Sequence, residues 1–143
     1  MLDCLYHYRG KSYLLHQFVL MHDHFHLLIT PTGSLEKTMQ LIKGSFSYRA
    51  KKELDYQWNV WQKGYSDHRI REAADYLKHV AYIHQNPVRK HYCVNAEEYP
   101  YSSAHTGFAL DPVPQGLKPE FVEAASGAAE AAPLQRKIKR IMN

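Results

Sequence analysis

Seventeen consecutive positions, Tyr13 to Ile29, form a strongly apolar run, and no other stretch limits the fold of this chain so tightly. Strands in globular proteins usually span about 3–10 residues, so the run is too long for one. The polar pair His22-Asp23 is the natural place for it to fold back. We expect a strand over 13–21, a tight turn, and a second strand over 24–30 ended by Thr30-Pro31-Thr32-Gly33. Side chains alternate across a strand, so His24 and His26 leave one face while Phe25 points into the core. Two neutral imidazoles at this spacing are half a metal site, to be completed by a third group from elsewhere.

Helical spacing surrounds this hairpin. Leu2, Leu5, Tyr6 and Arg9 read as the end of a helix stopped at Gly10. Ser34 suits an N-cap with Glu36 in the first turn, and Leu35, Met39, Ile42 and Phe46 continue an amphipathic helix to about residue 53. Lys43, Arg49, Lys51 and Lys52 fall on its exposed face, where they would meet phosphates or simply water. Trp58, Val60 and Trp61 suggest a short strand ending at Gly64, with the tryptophans in the core. After Ser66-Asp67, a second long helix carries Ile70, Ala73, Ala74, Leu77, Val80, Ala81 and His84 on its inner face and stops at about Asn86 before Pro87. Composition then turns to Pro, Gly and Ala after Ala109. We expect one domain over 1–109, followed by a linker and a small basic amphipathic tail, Gln135 to Ile141, within 110–143.

Bulk properties set the partner class. The chain of 143 residues is one domain long, and its net charge of +4 favours an anionic partner. Cys4 and Cys93 cannot make a disulfide framework, which points to a reducing, cytoplasmic setting. No stretch reaches the roughly 20 apolar residues that cross a bilayer, and the N-terminus has no basic and apolar leader pattern.

On the second helix Lys78, Tyr82 and Asn86 stand four apart and form one stripe. Tyr82 as nucleophile and Asn86 as the missing ligand is one reading of it; a half-buried tyrosine and a helix-capping asparagine is the other.

Met21-His22-Asp23-His24-Phe25-His26-Leu27-Leu28-Ile29 resembles the His-hydrophobic-His strand of the single-tyrosine DNA transposases of the IS200-like superfamily. Tyr82-Ile83-His84-Gln85-Asn86-Pro87-Val88-Arg89 resembles the tyrosine helix of their REP-associated branch. Trp61 to His68 and Tyr99-Pro100-Tyr101-Ser102-Ser103 extend the likeness, which covers about residues 1 to 105. The resemblance implies an α+β fold with a ferredoxin-like antiparallel sheet and helices packed on one face. It also implies a metal-dependent nuclease and strand transferase acting on single-stranded, hairpin-bearing DNA. His24, His26 and Asn86 would then hold Mg²⁺ or Mn²⁺ and Tyr82 would form a 5′-phosphotyrosine link. Lys78 and Arg89 join the helix lysines and Arg49 as candidate DNA contacts.

Rival readings remain at this level. The domain would bind hairpin DNA without cutting it, or act as a metallohydrolase through His22, His24 and His26, a run that also suits zinc. Gln85 lies about 100° round the helix from Asn86, off the tyrosine stripe. His68, His79 and His84 read as structural. His22 stands where the family usually has proline. Family members also begin with a further strand and most of a helix before the segment matching Met1 to Arg9. The sheet is therefore expected to lack its first strand, exposing the edge beside the histidine strand unless a homodimer covers it.

Overall fold

The computed structural model describes residues 1–114 and 139–142. In chain order they form α1 (Leu2–Tyr8), β1 (Tyr13–Leu20), β2 (Phe25–Pro31), α2 (Leu35–Leu54), β3 (Ser66–Arg69), α3 (Ala73–Arg89) and β4 (Lys139–Met142), with a 3-10 turn at Ala96–Glu98. The strands make one antiparallel sheet in the order β1-β2-β4-β3.

The apolar run folds back where expected. Val19 lies opposite His26 and Leu20 opposite Phe25, and the Met21 N–H donates to the His24 carbonyl at 2.8 Å across the turn. The pairing slips between Leu15 and Gln17, so His16 is an extra residue in β1. Such a bulge changes the phase of alternation. Tyr13 and Leu15 before it and Phe18 and Leu20 after it consequently enter the same core cluster. His16 is itself buried, with Nε2 2.8 Å from Thr30 Oγ1 and Nδ1 3.1 Å from the Asp111 carbonyl.

β2 is buried from Phe25 through Thr30, which demands cover on both faces of the sheet. Phe25, Leu27 and Ile29 pack with Leu5 of α1 and with Met39 and Ile42 of α2. Leu28, facing the other way, packs with Tyr76 and Ile83 of α3. The α+β antiparallel design is as expected, but the helices divide between two faces rather than sharing one.

The edge beside the histidine strand is paired. β4 lies between β2 and β3, with Met142 opposite His26 and Ile141 opposite Leu27. Ile141 is fully buried in the larger core cluster, and Lys139 donates to Asp67 of β3 at 2.6 Å. The end of the segment read as a basic tail is therefore a sheet strand. An Ile-x-x-Ile spacing in so short a run fits a helix or a strand, and the unmet backbone groups of β2 decide between them. β2 thus has a partner on each side within one chain. The outer edge of β1 is covered as well, because Leu20 N–H donates to the Tyr101 carbonyl and Ser103 N–H to the Phe18 carbonyl, each at 2.9 Å. Contacts also run past residue 109: Arg9 makes a two-pronged pair with Asp111 at 2.8 and 2.9 Å. The greater part of the expected linker lies outside the described residues.

Four local expectations are corrected. The strand expected near Trp58 is absent; Trp58 is exposed, whereas Trp61 packs on Phe25 and Phe46 and donates from Nε1 to the Lys43 carbonyl at 2.9 Å. Ser66–Arg69 forms β3, so the second helix starts at Ala73. That helix buries Tyr76, His79, Ile83, Asn86 and Pro87, while Ala74, Leu77 and Ala81 face solvent. Counting apolar letters put the small alanines inside; the real stripe runs through larger and partly polar side chains. Pro87 does not stop the helix. It removes one N–H near the end, and burial of Asn86 and Pro87 holds the last turn, which closes through Lys90 N–H to the Asn86 carbonyl at 3.1 Å.

Candidate active site

The hairpin turn, β2 and α3 bring His24, His26, Tyr82 and Asn86 to one open cleft of about 750 Å³. Asp23, Trp61, Lys63, Lys90 and Met142 help to line it. Asn86 lies inside α3 and is buried, so it does not cap the helix. Its side-chain Nδ2 donates to His26 Nε2 at 3.0 Å. The His26 ring meets the His24 ring edge-on at 5.0 Å between centres and the Tyr82 ring edge-on at 5.2 Å. Arg89 sits over the Tyr82 ring, its guanidinium carbon 5.7 Å from the ring centre, and steadies the phenol ring by a cation–π contact.

His24 is oriented from behind. Its Nδ1 lies 2.6 Å from Asp23 Oδ1, and the hydrogen bond from His24 holds the Asp23 carboxyl below the usual carboxylate range. With Nδ1–H given to the carboxylate, Nε2 keeps the lone pair, an arrangement typical of metal-binding histidines.

Whether these residues suit a divalent ion can be tested on Asn86. Its side-chain oxygen is buried with no hydrogen-bond donor against it among the described residues. Buried acceptors are almost always matched, so an unmatched one beside an imidazole is compatible with a cation ligand. Ligands about 2.1 Å from an ion in an octahedral shell lie roughly 3.0 Å from their neighbours. The Asn86 amide nitrogen stands at that spacing from His26 Nε2, so a half-turn of the amide group brings its oxygen there. The donor set, two imidazoles and an amide oxygen, fits.

The remaining candidates are scattered. Lys43 donates to the Gln62 and Gly64 carbonyls at 3.2 and 3.0 Å, tying α2 to the loop that borders the cleft. Arg49 is engaged by Glu53 at 2.7 Å and Asp3 at 2.9 Å. Lys51, Lys52 and Lys78 are exposed and do not line the cleft. His22, outside the metal-type cluster, stacks on Tyr92 at 4.7 Å. His84 bonds Gln17 at 2.8 Å and does not line the cleft. Sequence reasoning missed Asp23, Lys63 and Lys90. Lys90 continues the four-residue stripe of Lys78, Tyr82 and Asn86, and Asp23 adjoins His24, so both signals were present; the loop carrying Lys63 has no periodicity to read.

A second set of metal-capable donors, His68, Asp75 and His79, stands apart from the cleft, with its ligand atoms all within 4.8 Å of one another. Burial raises the Asp75 carboxyl, but the hydrogen bond from His68 and the neighbouring imidazoles outweigh it and leave the group below its ordinary value.

Comparison with known proteins bears on these residues. The family described as "Transposase IS200 like" matches residues 7–86, more than half of the chain. A protein of Escherichia coli K12 named REP-associated tyrosine transposase is 28% identical over 104 residues, covering 71% of this chain and 60% of that protein. A Haemophilus influenzae Rd protein that carries the same name with a provisional qualifier is 26% identical over 108 residues, covering 67% of this chain and 61% of that protein. The chain thus matches about 60% of the length of these curated relatives. No solved structure gives a significant match.

Proposed function

This chain belongs to the IS200-like transposase family, and from that premise we propose that it cleaves and rejoins single-stranded, hairpin-bearing DNA through a 5′-phosphotyrosine link made by Tyr82. The observation that carries the reading is the placement of a tyrosine ring edge-on to His26, itself in contact with Asn86, in a cleft open to a polymer. His24, His26 and Asn86 would hold Mg²⁺ or Mn²⁺. When bound, such an ion polarises a phosphate oxygen and stabilises the charge that builds on it.

The chain's own residues account for the rest. Tyr82 presents its phenol oxygen from a rigid helix, which favours in-line approach to phosphorus. Attack forms the bond from tyrosine oxygen to phosphorus and breaks the bond from phosphorus to the 3′ oxygen, which leaves as a hydroxyl after taking up a proton. The ester keeps the energy of the broken linkage, so a 3′-hydroxyl of another strand can displace Tyr82 without ATP. Lys63 and Lys90 at the walls suit the flanking phosphates. Arg89 and His26 both contact the ring and fix its orientation.

The test is a denaturing gel of the protein incubated with single-stranded hairpin DNA and Mn²⁺. A slow-migrating covalent species is expected, absent without metal and absent in Tyr82→Phe. Salt-sensitive binding with no covalent species would overturn the nuclease reading and leave a DNA-binding protein.

A further inference from the structure

Within the two turns before the tyrosine, α3 carries a different pair of donors. Asp75 and His79 are four apart on the helix, and β3 supplies His68 across from them. His68 Nε2 lies 2.9 Å from Asp75 Oδ2, and His79 Nδ1 lies 3.0 Å from Asp75 Oδ1. The two imidazoles stack with centres 4.7 Å apart and planes 14° apart, which turns one nitrogen of each toward the same carboxylate. His79 is buried and the His68 side chain is 52% exposed, so the group is closed behind and open in front.

We propose that His68, Asp75 and His79 form a binding site for one Zn²⁺ or a similar late first-row divalent ion, separate from the cleft. Two imidazoles and one carboxylate are the borderline donors that zinc takes, whereas Mg²⁺ prefers an all-oxygen shell with several waters. Ligands about 2.0–2.2 Å from a tetrahedral zinc stand roughly 3.3 Å apart; the imidazoles face different oxygens of Asp75 and the three ligand atoms lie within 4.8 Å of one another, so rotation of the carboxylate and the exposed His68 ring brings them to that spacing. The exposed side beside His68 leaves the fourth position to water. Each imidazole ligates in the tautomer that carries its hydrogen on the other ring nitrogen, and His79 Nδ1 exchanges its 2.8 Å hydrogen bond to the Asp75 backbone carbonyl for the ion.

The consequence is mechanical. The ion ties β3 to the first turns of the helix that bears Tyr82 and Asn86. Asn86 follows His79 by seven residues, roughly 10 Å along the axis, too far for the ion to pair with one in the cleft, where two-ion sites need about 3.5–4 Å. The site therefore orders the tyrosine helix and takes no part in bond breaking.

The experiment uses the full chain in a His24→Ala background, stripped with a chelator and held in excess Mg²⁺ to silence the cleft, then titrated with Zn²⁺ by calorimetry and thermal melting. One equivalent is expected to bind, raising Tm by several degrees. Adding His68→Ala, at a half-exposed position whose loss leaves the core untouched, is expected to abolish both binding and the rise; circular dichroism checks that this variant is folded, and His68→Gln serves in its place if it is not. Absence of a bound equivalent in the His24→Ala protein, or its survival when His68 is replaced, would overturn the site. Neither result touches the tyrosine chemistry, which the covalent species reports.

Discussion

His24 and Lys90 show how single residues carry this account. Asp23 fixes the His24 ring through Nδ1, and carboxylates in that position typically add ten- to a hundredfold to metal affinity. Asp23→Asn is accordingly expected to weaken Mn²⁺ binding by about tenfold in a calorimetric titration, with the fold intact because Asp23 is exposed. Lys90 lines the cleft, whereas Arg49 is held by Glu53 and Asp3. Each phosphate contact adds about 0.7 to the salt slope of single-strand binding. Lys90→Ala should lower that slope by roughly this amount in a binding series at several salt concentrations, and Arg49→Ala should leave it unchanged. At this scale the sequence was informative where spacing places a group, His24 and His26 across one residue, and where the family resemblance decides between readings of a spacing, as for Tyr82 and Asn86 across one helical turn. It was less informative about which basic residues are already engaged: Glu53 stands one helical turn from Arg49, but Asp3 is 46 positions from Arg49 and the carbonyls that hold Lys43 are 19 and 21 away.

Elements depend on contacts that periodicity does not encode. The hairpin was legible because its apolar run is longer than any strand, but the His16 bulge that keeps Phe18 and Leu20 in phase with Tyr13 was not. The helix carrying Tyr82 was legible in existence but not in its ends or its phase, since it runs from Ala73 through Pro87 to Arg89 and its buried stripe includes His79 and Asn86 rather than the alanines. β4 was missed because its identity as a strand is imposed by β2, a partner more than a hundred residues away. Its role predicts a measurable cost. Ile141 is fully buried, and removing a buried isoleucine side chain costs about 2–5 kcal/mol. Ile141→Ala should lower the urea unfolding free energy by that order. It should also reduce covalent DNA capture, because β4 pairs with His26 through Met142.

The whole molecule is a sheet covered on both faces, and two of its histidines pay for that burial. Burial holds the His16 imidazole below its ordinary value, and does the same for His84. Both stay neutral in the fold while the unfolded chain takes up protons through about pH 6.5, so stability is complete above that pH and is lost as pH falls toward the lower folded values. The depressed carboxyls of Asp23 and Asp75 act in a separate window, giving stability that is lost only below their ordinary value of 3.8. Tm should therefore fall by several degrees between pH 7 and pH 5.5, as read by scanning calorimetry, and His16→Gln should flatten that part of the profile. The central claim, that this fold exists to present Tyr82 to a phosphate beside His24, His26 and Asn86, is tested most directly by mass spectrometry of the protein captured on hairpin DNA with Mn²⁺. The account predicts a digest in which the nucleotide remnant sits on Tyr82 through a 5′-phosphate; a remnant on another residue, or a covalent species that persists in Tyr82→Phe, would contradict it.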